Sequence, residues 1–169
     1  MTRRIATVAW GNPLKGEPPA EVMALLRLAD EGETRILATL ADPAHETYLG
    51  KVEHYVVSVI TMQWERPDSE IIYLAVAPEW QGKGFGKAAI MGITTEAKRR
   101  QVSRLMVGTG NSSLENLAFY QKCGFRMDHV RRDYYDYIQP PISENGIPLR
   151  DMLVFSLDVN AEASNRSSP

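Results

Sequence analysis

The pattern of apolar and polar residues predicts two helices near the start of the chain. Apolar residues recur at helical spacing over residues 21–28, after two prolines that suit a helix start. Asp30 and Glu33 resemble a capping pair, which predicts a second helix that ends near Leu40. We therefore expect two tightly joined helices before the first long strand.

The next part of the chain has the pattern of strands. Residues 45–50 and 52–63 are predicted to be two strands, the second rich in β-branched side chains. Gly50-Lys51 between them is predicted to form a hairpin turn, and residues 65–69 a further turn. Residues 70–76 are almost continuously apolar, which predicts a strand that is buried on both faces.

A helical period returns in the second half of the chain. Phe85, Ala89, Ile93 and Ala97 recur every fourth residue, which predicts a long helix. The remaining predicted elements are a strand at 105–107, a helix that Ser112 and Glu115 cap and that ends before Gly124, strands at 125–131 and 150–158, and a loop at 133–148.

The order of these elements indicates the fold class. Antiparallel strands come first, a strand–helix–strand–helix unit follows, and two strands come last. We expect an α+β fold with a partly parallel sheet, in one domain over residues 1–159. Residues 160–169 are rich in Ala, Ser and Asn, and we expect a flexible tail there.

The composition narrows the class of partners. The chain has 169 residues, of which 44% are hydrophobic and 24% charged, and a net charge of −2. This charge argues against a nucleic-acid partner, and no apolar run is long enough to predict a membrane span. Cys123 is the single cysteine and no signal peptide is predicted, so we expect a cytoplasmic protein without a disulfide. His45, His54 and His129 are too scattered to predict a metal site.

A glycine-rich segment, here called the glycine loop, lies between the buried strand and the long helix. Its glycines let the backbone approach a ligand closely, and the helix N-terminus and the lysines favour an anion. A plain turn with exposed lysines is an open alternative. The glycine loop consists of Gln81, Gly82, Lys83, Gly84, Phe85, Gly86 and Lys87.

Two phosphate-binding patterns fit the glycine loop poorly. No Gly-Lys-Ser or Gly-Lys-Thr occurs at the spacing of a Walker phosphate loop. Gly84, Gly86 and Ala89 meet the dinucleotide fingerprint formally, but the strand at 105–107 is followed by Gly-Thr-Gly and supplies no acid for a ribose. A phosphate-bearing ligand of a different kind is therefore expected.

Two motifs together resemble the GNAT superfamily of CoA-dependent N-acetyltransferases. The first is the family's Gln/Arg-x-x-Gly-x-Gly/Ala signature, which residues 81–86 fit in full. The second is the family's Asn, Ala, Tyr and Gly-Phe region, which residues 116–125 resemble with slightly tighter spacing. The resemblance covers roughly residues 20–158. Short stretches at 108–113, 144–146 and 150–152 are similar to a small bacterial subgroup of uncharacterised members.

The resemblance implies a fold and a cofactor. The GNAT fold has three layers, with flanking helices and a central mixed, mostly antiparallel sheet that contains a splayed parallel pair of strands. The implied acyl donor is acetyl-CoA, whose pyrophosphate would bind the backbone N–H groups of the glycine loop. The pantetheine arm would pair with the backbone of Leu74, Ala75 and Val76 and would contact Asn116.

The resemblance also implies two catalytic roles. Tyr120 matches the motif tyrosine and would protonate the leaving thiolate as a general acid; it shares a helix face with Asn116, four residues earlier. Glu70 aligns with the glutamate that histone-acetylating members use as a base through water. A core aromatic role for Tyr120, and a solvated acid at a strand end for Glu70, are open alternatives.

The implied function is transfer of an acetyl group to a primary amine of a small molecule or a peptide, by direct attack in a ternary complex. The alternative is a catalytically inactive GNAT fold that binds CoA and serves regulation. Trp64 and the tyrosines at 134–137 could line the acceptor pocket, and a surface or homodimer role for them is equally open. The loop at 133–148 is expected to set specificity.

Overall fold

The computed structural model describes residues 9–161, which form two compact units. The first unit holds the described residues up to Glu65 together with Ser69–Glu96. The second unit holds Arg66–Asp68 and the described residues from Ala97 onward. Of the predicted tail at 160–169, only residues 160 and 161 lie in the described part of the chain.

The first unit is built on antiparallel strand pairs. Each strand pairs with the next one along the chain, so sequence order and sheet order agree. This arrangement confirms the antiparallel start that the strand pattern predicts. The strands are β1 (Ala9–Trp10), β2 (His45–Val52), β3 (Tyr55–Gln63) and β4 (Asp68–Val76).

The turn between β2 and β3 lies later than predicted. Val52 pairs with Tyr55, and Glu53 in the turn has a left-handed φ of 55°. The predicted hairpin turn at Gly50-Lys51 is wrong, because both residues belong to β2 and the strand register shifts between them. Glycine inside a strand often marks such an irregularity, so Gly50 signals a bulge in this hairpin.

Two helices cover one face of these strands, as the apolar spacing predicts. They are α1 (Ala20–Ala29) and α2 (Glu33–Ala41). Leu26 of α1 is fully buried and lies in the same apolar core as Tyr73 and Ala75 of β4. The core of the first unit therefore forms between α1 and the strand that precedes the glycine loop.

Asp30 does not cap α2 in the predicted way. The N-cap residue is Gly32, whose N–H donates to Asp30 Oδ1 at 2.7 Å, and the Arg35 guanidinium donates to both Asp30 oxygens at 2.5 and 3.0 Å. The Tyr73 hydroxyl donates to the same carboxylate at 3.2 Å. Burial by itself would raise the pKa of Asp30, but these hydrogen bonds and the Arg35 charge hold it below its ordinary value. Asp30 thus ties the α1–α2 connection to β4.

The strand β4 is covered fully on alternate residues only. Ser69, Ile71, Tyr73 and Ala75 are buried, whereas the residues between them are half-buried. The prediction of a strand that is buried on both faces is therefore wrong. An almost continuous apolar run is compatible with this pattern, because apolar side chains are also common on partly exposed surfaces.

The long helix α3 (Phe85–Arg99) follows β4 and confirms the predicted spacing. Phe85, Ala89, Ile93 and Ala97 are each at most 5% exposed. Gly92 lies so close to the Trp10 indole that an added Cβ would approach it to 2.8 Å. A small residue is therefore needed where α3 packs on β1.

The second unit combines three antiparallel strands, a helix and a separate hairpin. In its sheet, the last strand of the chain pairs with the first and the second strand of the unit. The elements are β5 (Arg104–Gly110), α4 (Leu114–Lys122), β6 (Arg126–Arg131), β7 (Ser143–Glu144), β8 (Ile147–Pro148) and β9 (Met152–Asp158).

The predicted loop at 133–148 contains regular structure. The strands β7 and β8 pair antiparallel around Asn145 and Gly146, whose φ values are 53° and 72°. Positive φ at both central residues is typical of a type I′ turn, for which Asn-Gly is a favoured sequence. We refer to residues 143–148 as the hairpin.

The predicted α+β class is confirmed. Over residues 9–161, four α-helices accompany strands that pair antiparallel within each unit. In the same range, no helix is both long and apolar enough to cross a membrane.

Candidate functional site

The glycine loop has a backbone that only glycine adopts easily. After β4, a short 3₁₀ turn at Pro78–Trp80 leads into the loop. Gly82 and Gly84 have φ values of 69° and 91°, in the region that favours glycine. A Cβ added to either glycine would meet no atom within 4 Å, so the space beside both residues is open. The loop therefore offers its main chain to a ligand.

The start of α3 presents amide groups without partners in the helix. The Ala88 N–H donates to the Gly84 carbonyl at 3.0 Å. The amides of Phe85, Gly86 and Lys87 precede this bond, and the geometry of an α-helix leaves them no acceptor within it. Such amides, together with the helix dipole, favour an anion. The loop thus fits a diphosphate in both conformation and charge.

The two lysines of the loop differ in their contacts. Lys83 Nζ donates to the Glu79 carbonyl at 2.7 Å and lies 5.4 Å from the ring centre of Trp80. The Lys83 ammonium group is therefore already engaged in contacts within this segment. Lys87 is exposed in the first turn of α3. Lys87 is consequently the more available cation for an incoming anion.

At the end of the predicted pantetheine strand, the Val76 carbonyl accepts a side-chain hydrogen bond. Gln81 Nε2 donates to the Val76 carbonyl at 3.0 Å, so the first residue of the glycine loop reaches back to the end of β4. Ala75 is buried in the core of the first unit, and Leu74 and Val76 are half-buried. Contact between the pantetheine arm and these three residues stays a prediction.

Glu70 lies near the beginning of β4. It pairs with Gln63 of β3 and is half-buried. A register shift opposite Thr61 and Met62 leaves Ile72 as an additional residue in β4, which is the arrangement of a β-bulge. At about 3.3 Å per residue, Glu70 is roughly 20 Å from Val76. Its role as a base stays a prediction, and it would require a ligand that extends along the strand.

Asn116 and Tyr120 lie one turn apart on α4, as their spacing predicts. Asn116 is exposed, and its Nδ2 donates to Thr109 Oγ1 of β5 at 3.3 Å. The Oδ1 atom, which is the acceptor of that carboxamide, takes no part in this bond.

The ring of Tyr120 belongs to an aromatic core. It is 7% exposed, and its centre lies 5.2 Å from that of Phe119, 5.7 Å from Phe125 and 6.1 Å from Phe155. Burial raises the pKa of the Tyr120 hydroxyl, and the charges of Cys123 and Tyr135 act in the same direction. The phenol therefore stays protonated at neutral pH. A packing role for the ring is compatible with a donor role for the hydroxyl.

The junction between β5 and α4, residues 111–113, is held in a way that the sequence did not predict. Ser112 Oγ and Ser113 Oγ both donate to Glu144 Oε2, at 3.2 and 2.6 Å. The N-cap residue is Ser113, without a side-chain capping bond, so the predicted capping box of Ser112 and Glu115 is wrong. We call residues 111–113 the helix junction.

Sequence reasoning missed the residues that hold this junction. Asn145 Nδ2 donates to the Ser112 carbonyl at 3.0 Å, so both residues of Glu144-Asn145 contact the junction. The signal was available in Asn145-Gly146, because this pair favours a hairpin turn. What the pair does not indicate is where the hairpin packs.

The residues suggested for an acceptor pocket lie in both units. In the first unit, Trp64 Nε1 donates to Glu46 at 3.0 Å. In the second unit, the rings of Tyr134, Tyr135 and Tyr137 pack against one another with centres 5.0 to 6.4 Å apart. An acceptor role for these side chains stays a prediction. Within residues 9–161, no group of three or more His, Cys, Asp or Glu side chains is placed to hold a metal ion.

Comparison with known proteins decides the family. The model of the Acetyltransferase (GNAT) family matches residues 14–125, which is more than half of the chain. The chain belongs to the GNAT acetyltransferase family. This match confirms the resemblance that was predicted from the glycine loop and from the region of Asn116 and Tyr120.

Individual relatives agree with this assignment. YvbK of Bacillus subtilis strain 168, an uncharacterized N-acetyltransferase, is 36% identical over 135 residues, which cover 73% of this chain and 87% of YvbK. A GNAT family acetyltransferase of Elizabethkingia anophelis has been solved with acetyl-CoA bound. It matches this chain with a TM-score of 0.81 and 31% identity, and the match covers 89% of this chain and 97% of that one.

A second solved structure binds the same kind of cofactor. A Bacillus subtilis acetyltransferase in complex with CoA has a TM-score of 0.82 and 32% identity, over 90% of this chain and 99% of that one. The predicted GNAT fold is confirmed by these two structures. This GNAT chain is therefore similar to acetyltransferases that bind CoA and acetyl-CoA.

Proposed function

We propose that this chain is an acetyl-CoA-dependent N-acetyltransferase that acetylates a primary amine of a small molecule or a peptide by direct attack in a ternary complex. The observation that carries the proposal is the glycine loop, with positive φ at Gly82 and Gly84 and open space beside both. Membership of the GNAT family, and the CoA and acetyl-CoA complexes of two similar structures, support the choice of cofactor.

In this proposal the glycine loop binds the pyrophosphate of the cofactor. The amides of Phe85, Gly86 and Lys87 donate to phosphate oxygens, as expected of amides without helical acceptors. The Lys87 ammonium adds a positive charge at the same helix end. Hydrogen bonds to a charged acceptor are stronger than neutral ones, which makes this the main binding contact of the first unit.

The pantetheine arm is assigned to backbone and amide contacts. Leu74, Ala75 and Val76 offer extended main chain, although the Val76 carbonyl already accepts from Gln81. Asn116 binds the arm through Oδ1, the acceptor of its carboxamide, while its Nδ2 donates to Thr109. Both contacts would be amide–amide hydrogen bonds, which the two amide groups of pantetheine can form.

The acceptor amine must lose a proton before it attacks. A lysine-like amine with a pKa of about 10.4 is neutral in only about one molecule in a few thousand at pH 7, which corresponds to roughly 4–5 kcal/mol. Glu70, directly or through water, is our candidate base. Its carboxylate would act at the far end of β4 from the glycine loop, where an extended ligand presents its reacting group.

Tyr120 is our candidate proton donor to the leaving sulfur. When bound, acetyl-CoA supplies the acetyl thioester, whose cleavage leaves negative charge on sulfur. A tyrosine hydroxyl of ordinary pKa is already protonated at neutral pH, and burial raises the pKa of Tyr120 further, so the hydroxyl can donate to that sulfur as the charge develops. The surrounding phenylalanines fix the ring, so the donor has one orientation.

The proposal is tested in two steps. Calorimetry measures acetyl-CoA binding, for which we expect a dissociation constant in the micromolar range. A thiol-release screen over polyamines, amino acids, aminoglycosides and peptides then tests transfer. Absence of acetyl-CoA binding contradicts the proposal as a whole. Binding without thiol release for any amine supports the inactive regulatory module instead.

A further inference from the structure

The helix junction contains an asparagine whose side-chain oxygen and nitrogen are both hydrogen-bonded. Asn111 Oδ1 accepts from the N–H groups of Arg150 and Asp151 at 2.9 and 3.0 Å, and its Nδ2 donates to the Pro148 carbonyl at 2.9 Å. Its own N–H donates to the Asp151 carbonyl at 2.9 Å. Asn111 therefore joins the end of β5 to the chain just before β9.

The hairpin holds the next two residues of the junction. The Glu144 carboxylate accepts from the hydroxyls of Ser112 and Ser113, and the Asn145 amide donates to the Ser112 carbonyl. Ser112 is fully buried, although the hairpin residues that bind it are exposed. A carboxylate at the start of a helix is favoured by the helix dipole. Glu144 thus fixes the residues that begin α4 through their hydroxyls, without capping a backbone N–H group.

Close packing supports the same arrangement. An added Cβ on Gly110 would collide with Leu149, which directly follows the hairpin. The Leu149 N–H donates to the Ile142 carbonyl at 3.0 Å and extends the pairing of the hairpin by one step. The end of β5 and the hairpin therefore form one closely packed block.

A cavity connects this block to Asn116. It has a volume of about 350 Å³ and lies at the first turn of α4. Glu144 and Asn145 of the hairpin line it together with Asn116, so a displacement of the hairpin changes the surroundings of that amide. The full lining is Ser113, Leu114, Glu115, Asn116, Glu144 and Asn145.

We propose that Glu144 is a positioning residue: through Ser112 and Ser113 it fixes the first turn of α4, and it thereby holds Asn116 in the orientation that binds the cofactor. This inference rests on the proposed function. It gives a role to three short stretches of the sequence, at 108–113, 144–146 and 150–152, that the catalytic assignment leaves unused. Hydrogen bonds connect these three stretches: Asn111 bonds to the chain at 148–151, and Glu144 and Asn145 bond to residues 112 and 113.

The test is a double-mutant cycle on the full chain. Glu144→Ala is expected to weaken acetyl-CoA binding about 5- to 10-fold in calorimetry, because both hydroxyls lose their acceptor. The kcat at saturating acetyl-CoA should change less than about 2-fold, so the effect falls on KM. Glu144→Gln keeps an acceptor oxygen and should recover most of the affinity. In an Asn116→Ala background, Glu144→Ala should add less than about a 2-fold loss.

A matched control removes a different carboxylate of the same unit, that of the half-buried Asp68. Asp68 accepts from Arg104 at the opposite end of β5, at 2.9 Å from its Nε. Asp68→Asn should leave acetyl-CoA affinity unchanged. If Glu144→Ala is too unstable to measure, Ser113→Ala replaces it, since this change removes only the shorter of the two hydroxyl bonds.

Two results with the variants would overturn the inference. One is an unchanged affinity in both Glu144→Ala and Ser113→Ala. The other is an equal loss of affinity with and without the Asn116 side chain, which would mean that the hairpin acts independently of that amide. A wild-type chain that binds no acetyl-CoA overturns the proposed function itself, and with it this inference. Wild-type binding with unaffected variants overturns the positioning role alone.

Discussion

The glycine loop and the helix junction are two connections from a strand to a helix, and they are built in opposite ways. The glycine loop exposes its main chain, has positive φ at Gly82 and Gly84, and starts α3 with amides that lack helical acceptors. The helix junction has hydrogen-bonded side chains at Asn111, Ser112 and Ser113, and the partners of all three lie far along the chain.

This difference indicates that the two connections have different roles. A connection that binds an anion must leave donors available, so its own stability is low and its residues are defined by backbone conformation. A connection that orients a helix gains from satisfied polar groups, so its residues are defined by side-chain chemistry. Substitutions in the glycine loop should therefore change ligand affinity through the backbone conformation, whereas substitutions at the junction should change stability through lost side-chain hydrogen bonds. The predictions below test this contrast.

The largest expected effect concerns the helix that the junction starts. Tyr120→Phe should lower kcat about 100-fold and leave the KM for acetyl-CoA within about 2-fold, because it removes a proton donor but no ring packing. Steady-state kinetics measures both values. Tyr55→Phe, at a tyrosine that is 53% exposed, is the matched control and should behave as wild type. An unchanged kcat would assign Tyr120 to packing alone.

The same tyrosine predicts a pH profile. The protonated phenol is the active form. Because burial raises the pKa of Tyr120, the phenol loses its proton at a higher pH than an exposed tyrosine does. Ionisation of Tyr120 should therefore not reduce kcat below about pH 10, the ordinary value for tyrosine. An alkaline loss between pH 7 and 9 that disappears in Tyr120→Phe would contradict this assignment.

The second effect is on stability at the junction. Asn111→Ala removes the side chain that bonds Pro148, Arg150 and Asp151, and should lower the free energy of unfolding by about 2 kcal/mol in urea titrations. Asn111→Asp keeps the acceptor for Arg150 and Asp151 but sets a carboxylate oxygen against the Pro148 carbonyl, so it should also lower stability. An Asn111→Ala chain as stable as wild type would break the contrast between the two connections.

The third effect is on affinity at the glycine loop. Gly84→Ala places a Cβ on a residue with φ of 91°, which costs about 1–2 kcal/mol and should weaken acetyl-CoA binding about 10-fold. Gly16→Ala is the control, because Gly16 has a φ of 79° and equally open surroundings. It should show a similar loss of stability with unchanged affinity. Equal affinities in the two variants would place the ligand elsewhere.

The smallest effect separates the two lysines. Lys87→Gln should weaken acetyl-CoA binding about 2- to 5-fold at low salt, and the difference should shrink as salt is added. Lys83→Gln should have a smaller effect, because Lys83 Nζ already donates to the Glu79 carbonyl. Calorimetry at two salt concentrations measures both. A larger effect for Lys83 would show that this lysine leaves its carbonyl partner when the ligand binds.

The sequence predicted those features whose cause is local. The period of Phe85, Ala89, Ile93 and Ala97 predicted α3 because a helix buries one stripe of residues regardless of what covers it. The glycine loop was recognisable for a similar reason, since its glycines and lysines are contiguous. Asn116 and Tyr120 were recognisable together because one turn of a helix separates them.

Features with distant or weak causes escaped prediction. The bonds of Glu144 to Ser112 and Ser113 join residues more than 30 positions apart, and no local pattern encodes such a pairing. The strands β7 and β8 have two residues each, which is too short for an alternation of apolar and polar positions. The β2–β3 turn at Glu53 lacks glycine, so Gly50 nearby gave the misleading signal.

The type I′ turn of the hairpin also has a consequence for the chemical ageing of the protein. Asn145 is followed by Gly146 in an exposed turn, where little hinders attack of the glycine nitrogen on the asparagine side chain. Deamidation there would replace the amide that donates to the Ser112 carbonyl with a carboxylate, which can only accept. A new negative charge would then stand beside Glu144 and face a carbonyl oxygen. Stored protein would therefore gradually lose the hydrogen bond from the hairpin to the start of α4.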